Sequence, residues 1–149
     1  MMPRYGGQKI IQMREEINQA YPKRYKDIQT ATEVAGFSMA SDVLTCSFLR
    51  TLAASKPSGK FLELGTGTGL ATSWILGGMD ERSTLISIDN DPIVVAIARE
   101  KLAFDGRVAI VLIDGEKWIK ENGTEKFDYI FADTWHGKYL LLEETLTRS

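Results

Sequence analysis

Four acids stand at the ends of four short apolar runs: Glu63 in KFLEL, Asp89 after LISI, Asp114 after VAIVLI and Asp133 after YIFA, with His136 close behind the last. Carboxylates so placed can accept hydrogen bonds from ligand hydroxyls or amines, and an imidazole near neutrality can take a proton from a reacting hydroxyl. Between the first two acids runs Gly65-Thr66-Gly67-Thr68-Gly69, with glycines at alternate positions. Glycine allows positive φ and lets a ligand approach where a Cβ would collide. Thr68 to Leu76 is predicted to continue as a helix, so the loop is also a helix N-terminus, whose free N–H groups attract anionic or polar ligand atoms. Leu70 occupies the place where the dinucleotide fingerprint GxGxxG has its third glycine, which counts against a nicotinamide cofactor.

These residues need a scaffold that brings strand ends together. Phe61, Leu62 and Leu64 read as a buried parallel strand, followed by predicted strands at Ser83–Ile88, Val108–Ile113 and Phe127–Ala132. Between them lie helical stretches: the loop helix, Ile93–Phe104 with Pro92 in its first turn, and Glu116–Glu121. Tyr139–Leu146 is predicted to close the chain as a helix. Alternating strands and helices with strands apolar on both faces specify an α/β fold, a Rossmann-like doubly wound parallel sheet. In such sheets ligands collect at the carboxyl ends of the strands, the edge that carries all four acids.

Ahead of this core, residues 1–40 read as an N-terminal cap region of a single domain spanning 1–149, with the Rossmann-like core at 60–149. Lys9–Tyr21 places Ile10, Met13, Ile17 and Ala20 at helical spacing, ended by Pro22, and is predicted to cover part of the core. The cluster Lys23-Arg24-Tyr25-Lys26 reads as a solvated charged turn. Ser41 is placed to cap a helix whose apolar side carries Val43, Leu44, Phe48, Leu49 and Leu52.

With 149 residues and a formal charge of −2, the chain has no strong electrostatic pull toward nucleic acid or a membrane surface. No stretch approaches the roughly 20 apolar residues of a membrane span, and MMPRYGGQKI lacks the apolar run of a secretory leader, so a cytoplasmic location is expected. One cysteine, Cys46, leaves no intramolecular disulfide and no metal site built on cysteine pairs.

Asp89 lies at the separation from the glycine loop where an acid can accept both hydroxyls of a ribose; the alternative is a helix cap at Asp89 or Asp91. Asp114-Gly115 can accept from the exocyclic amine of a base or form an ordinary turn. Glu63 can orient the loop or a ligand amine, or be a satisfied polar group near the strand end. Thr66 and Asn90, inside the loop and beside Asp89, join the set that faces a ligand.

At this point the chain resembles the class I S-adenosylmethionine-dependent methyltransferases, and within them the catechol O-methyltransferase type. LELGTGTG resembles the family's first motif, SIDNDP its acidic second-strand motif, LIDG its adenine-side motif and FDYIFADTW its fourth-strand motif, over roughly residues 40–146. By that resemblance Gly65 and Gly67, with Gly69, face the methionine part of S-adenosylmethionine, Asp89 holds the ribose and Asp114 lies by the adenine. Asp133-Thr134-Trp135-His136-Gly137-Lys138-Tyr139 resembles the family segment Asp-x-Trp-Lys-x-x-Tyr, in which the Asp binds Mg²⁺ and the Lys deprotonates the acceptor. Here Asp133, Trp135 and Tyr139 match and His136 stands at the Lys position, so His136 is the expected base, the other reading being a helix-start or surface residue.

The resemblance implies transfer of a methyl group to a hydroxyl of a small, aromatic acceptor. Family members continue with further strands and with an Asp-Asn pair that completes the metal site; these are expected to be missing here. Asp133 alone does not make a Mg²⁺ site, since that ion wants several oxygen ligands. A fourth strand left at an edge predicts self-association or marginal stability, a homodimer being one form of such association. The competing function is a non-catalytic nucleoside-binding module, or a fragment that acts only with a partner.

Overall fold

The computed structural model describes residues 21–134 and 142–147. Its elements are α1 (Tyr25–Val34), α2 (Val43–Ala54), β1 (Lys60–Leu64), α3 (Leu70–Gly78), β2 (Thr84–Asp89), α4 (Pro92–Leu102), β3 (Val108–Leu112), α5 (Gly115–Glu121), β4 (Tyr129–Ala132) and α6 (Leu142–Leu146). The four strands form one parallel sheet in the order β3-β2-β1-β4. The predicted helix at Lys9–Tyr21 lies outside the described residues, apart from Tyr21.

Side-chain alternation divides the core. Phe61 and Leu85 face α1 to α4, together with Ile28, Leu49, Trp74 and Leu102, whereas Leu62, Leu64 and Ile88 face the other side, against Trp118, Ile119 and Phe127. β1 is central and buried from Phe61 onward; β3 and β4 are only partly covered because, among the described residues, each pairs on one side alone.

The structure corrects three expectations at the N-terminal end. Tyr25 is not part of a solvated turn: it is buried at the start of α1, stacked on Tyr21 at 4.4 Å between ring centroids and set edge-on to Trp74. Only its charged neighbours face water, so the charge run concealed an aromatic anchor. Asp42, not Ser41, caps α2, accepting from the Thr45 backbone N–H at 3.0 Å. The buried side of α2 is Cys46, Leu49 and Ala53, while Leu44 and Phe48 are 69% and 60% exposed. Helix α2 is apolar nearly all round, so periodicity alone did not choose a side; small residues did, because α3 approaches closely there. A Cβ on Gly78 would stand 2.1 Å from the Arg50 carbonyl oxygen and 3.0 Å from Ala53 Cβ.

One polar cluster interrupts the apolar face. Glu63 and Ser87 are register partners on β1 and β2, both fully buried. Ser87 Oγ donates to Glu63 Oε2 at 2.5 Å, and Thr72 Oγ1 of α3 donates to the same oxygen at 2.6 Å. Glu63 Oε1 has no partner among the described residues. Burial, partly offset by the two hydroxyls, pushes the Glu63 carboxyl from its ordinary 4.5 up to about 7.

Two stability predictions follow from this packing. Gly78→Ala should cost about 1–3 kcal/mol in urea unfolding, the usual range for overpacking a close contact. A carboxyl raised on folding stabilises fully below its unfolded value and loses that contribution as pH climbs through its folded value. The parent should therefore lose on the order of 3 kcal/mol between about 4.5 and about 7 relative to Glu63→Gln. Parallel stability curves for the two proteins would show that Glu63 ionises as an ordinary acid.

Candidate cofactor site

The glycine loop begins where β1 ends, and β2 holds it. Ile88, the penultimate residue of β2, accepts from both Gly65 N–H (2.8 Å) and Thr66 N–H (3.1 Å). Asp89 Oδ2 then accepts from Gly67 N–H at 2.8 Å, and Asp89 Oδ1 from Asp91 N–H at 3.0 Å. Side chains secure the rest. Thr66 Oγ1 and Ser87 Oγ lie 2.6 Å apart, joining the loop to the Glu63 cluster, and Thr68 Oγ1 lies 2.7 Å from Thr32 Oγ1 on α1. Thr32 donates its own proton to the Ile28 carbonyl, so Thr68 is the donor between the two.

The loop needs glycine for two separate reasons. At Gly65 the backbone has φ +108 and a Cβ would come within 3.0 Å of the Asp133 carbonyl oxygen, so β1 and β4 could not close together there. At Gly67, φ is +53 and a Cβ would meet the Phe37 ring at 3.1 Å. Helix α3 starts at Leu70, two residues later than predicted, with Gly69 in the left-handed region as its N-cap and packed against Ala98 and Leu102.

Over this loop lies a cleft of about 330 Å³, lined among others by Gly65, Thr66, Gly67, Asp89, Asn90 and Asp133. A second hollow of about 220 Å³ is lined by Asp114, Gly115, Leu64 and Ile88, and shares Asp89, Asn90 and Thr134 with the first. The two meet along the carboxyl edge of the sheet, so the acids at the ends of β2, β3 and β4 converge on one continuous run. Glu63 lines neither: it sits beneath the loop. Gly69 also stays out of the cleft, behind the loop against α4. Asp114 caps α5 through Lys117 N–H at 3.0 Å, and Asp91 caps α4 through Ile93 N–H at 2.9 Å. The cap alternative thus holds for Asp91, while Asp89 caps nothing and supports the loop. Each Asp89 oxygen takes one backbone N–H, which leaves a lone pair on each for a ligand hydroxyl.

His136, Trp135, Lys138 and Tyr139 lie outside the described residues. Among the described residues no three His, Cys, Asp or Glu side chains converge as a metal site, so Asp133 has no set of partners that fits Mg²⁺. No described helix is long and apolar enough to cross a membrane.

Sequence reasoning missed the outer wall of the cleft. Phe37, Met39, Ala40 and Ser41 line it, from the stretch that read only as a turn before α2. Nothing in those residue types signals a ligand; what places them is Gly36 at φ +66 and the packing of Phe37 on Gly67. The Thr72 and Ser87 hydroxyls had a signal of a kind, since both are polar residues in otherwise apolar runs, one of them level with Glu63 across the sheet.

Comparison with known proteins agrees with this geometry. The sequence model of the protein-L-isoaspartate(D-aspartate) O-methyltransferase (PCMT) family matches residues 9–134. Catechol O-methyltransferase B of Danio rerio is 38% identical over 88 residues, 54% of this chain and 33% of that protein, so the chain spans about a third of the length of this curated relative. Among solved structures, an O-methyltransferase from Bacillus cereus in complex with SAH superposes with a TM-score of 0.71 at 21% identity, over 84% of this chain and 60% of that one. The O-methyltransferase TomG from Streptomyces achromogenes, in complex with SAM, gives 0.74 at 19% identity, over 85% and 60%. At such identities the structural likeness speaks for the fold, and the family match covers most of the chain: it belongs to the protein-L-isoaspartate(D-aspartate) O-methyltransferase family and has the Rossmann-like fold of the class I methyltransferases.

Proposed function

We propose that this protein binds S-adenosylmethionine along the carboxyl edge of its sheet and takes part in methyl transfer to an oxygen of a small acceptor. The observation that carries the reading is the Asp89 carboxylate: it holds the glycine loop through Gly67 N–H and stands where the two hollows meet. A nucleoside laid along that run places its ribose hydroxyls at the spare lone pairs of Asp89, its base beside Asp114-Gly115 and its amino-acid end over Gly65–Gly67. The residues present suit such a ligand: a glycine loop whose Gly65 and Gly67 line the cleft, and a carboxylate with acceptor capacity in hand.

When bound, S-adenosylmethionine supplies a methyl group activated by its sulfonium. The chain's part is to fix that ligand in line with the acceptor oxygen and to remove the acceptor's proton. Asp133, Met39 and Ser41 line the part of the cleft away from Asp114, where the acceptor would enter. His136, shortly after Asp133 in sequence, is our choice of base, and an aromatic hydroxyl our choice of acceptor. The relatives' names point to two oxygen chemistries, a catechol hydroxyl and an isoaspartyl carboxyl. They differ in what they ask of the protein: a hydroxyl must lose its proton, whereas a carboxylate is already ionised near neutrality.

Calorimetry with S-adenosylhomocysteine tests the site. Asp89→Ala should weaken binding by about 1–3 kcal/mol, the range for removing a hydrogen-bonding partner of buried polar groups, and Gly67→Val should weaken it more. Unchanged affinity in Asp89→Ala takes the ribose away from Asp89. A methyl-transfer assay with catechol and with an isoaspartyl peptide tests the acceptor. With a hydroxyl acceptor the rate should fall at low pH with an apparent pKa in the imidazole range, and His136→Ala should lose that limb. Turnover of the peptide alone, with a profile indifferent to His136, would replace the hydroxyl reading by the carboxyl one.

A further inference from the structure

Glu63 is the buried ionisable group to which this chemistry gives no part. It is fully buried two residues before the loop, its Oε2 holds Ser87 and Thr72, and its Oε1 has no partner among the described residues. The ionisable groups that act on it are Asp89 at the end of β2 and Asp133 after β4, and both disfavour its charge. On the other sides, Cys46 of α2 and Tyr129 of β4 are themselves pushed up in part by Glu63. All four of these groups are acids, so none supplies Glu63 with a counter-ion. Yet Glu63 is connected to the ligand side. Asp89 and Asp133 line the cleft, and Ser87 Oγ links Glu63 to Thr66 Oγ1, a loop residue that lines it too. A carboxyl that burial first, and the negative charges at the cleft in addition, hold in its neutral form is shifted the opposite way by a positive charge at the cleft.

We propose that Glu63 is the internal counter-charge of the cleft: its protonated carboxyl anchors the glycine loop, and it releases that proton to solvent when a positively charged nucleoside binds against the loop. Through Ser87 and Thr66 the carboxyl is tied to the loop, Thr66 Oγ1 donating to Ser87 Oγ and Ser87 Oγ to Glu63 Oε2. Glu63 is thus a positioning residue whose ionisation accompanies loading. This deepens the S-adenosylmethionine reading and rests on it.

Titration calorimetry of the whole chain, in buffers of different ionisation enthalpy near neutral pH, counts the protons exchanged. The probes are S-adenosylmethionine, which carries a sulfonium and an ammonium, S-adenosylhomocysteine, which keeps the ammonium, and adenosine, which has neither charge. S-adenosylmethionine should release a fraction of one proton per ligand, S-adenosylhomocysteine less and adenosine none. Affinity for S-adenosylmethionine should climb with pH through about 7, by at most about tenfold per pH unit. Glu63→Gln should abolish the release and flatten the pH dependence. A ligand amine that gained a proton would register as uptake, the opposite sign. Binding of S-adenosylmethionine without proton release, or with equal release in Glu63→Gln, overturns the inference and leaves the cofactor reading standing. Should Glu63→Gln fail to fold, the three ligands on the parent decide, and equal release with adenosine overturns it. If none of the three binds, the cofactor reading falls, and this inference with it.

Discussion

The site depends on how three successive amides of the glycine loop are committed to the end of β2. Gly65 and Thr66 both give their N–H to the Ile88 carbonyl, and Gly67 gives its N–H to the Asp89 carboxylate. A loop of glycines left to itself would sample many conformations, since glycine loses more backbone entropy on ordering than any other residue. Here each turn of the loop is fixed by an acceptor on the neighbouring strand, and the sheet register that pairs Leu64 with Ile88 brings those acceptors within reach. Asp89 therefore supports the loop and lines the cleft at once. One face of its acceptor capacity shapes the loop, and what remains points along the cleft.

A second set of contacts comes from the N-terminal side of the chain. Thr32 on α1 receives the Thr68 hydroxyl, and Phe37, just after α1, lies over Gly67. Tyr21 and Tyr25 pin the start of this segment on Trp74 of α3, the helix that the loop itself begins. The segment ahead of the sheet is thereby tied both to the loop and to the helix behind it. Its stretch from Phe37 to Ser41 becomes the outer wall of the cleft as a result.

Sequence reading worked where one local rule decided the outcome. The parallel sheet, the loop and the acids at the strand ends rest on alternating elements and handed crossovers, and the structure has them. It was less sure where tertiary contacts choose between equivalent local options. Helix α2 could bury Leu44 and Phe48 or Cys46 and Ala53 with the same period, and only the close approach of Gly78 settles the matter. Tyr25 was hidden by charged neighbours, and the capping role fell to Asp42 next to an equally suitable Ser41. In the candidate site Gly65, Gly67, Asp89, Asp114 and Asp133 stand along the hollows because their types mark the strand ends, whereas Glu63 and Gly69, read from the same pattern, lie behind the loop. The wall residues Phe37 to Ser41 were not legible, because only the fold gives them a neighbour.

Glu63 poses the remaining question of why a carboxyl stands in an apolar layer. On the same face of the sheet Phe61 and Leu85 pack without any polar group, so packing alone does not ask for an acid there. Two hydroxyls satisfy one of its oxygens and no described residue satisfies the other. An unsatisfied buried polar atom costs about 1–3 kcal/mol, a sizeable share of the 5–15 kcal/mol by which domains are usually stable. A cost of that size, at the root of the loop that forms the site, is where strain tied to function is expected to collect. The neighbouring Asp89 and Asp133 make the point sharper. Both line the cleft, and both act on Glu63 to disfavour its charge. Burial is the larger part of what holds the acid neutral, and the charges of Asp89 and Asp133 add to it from the side of the cleft.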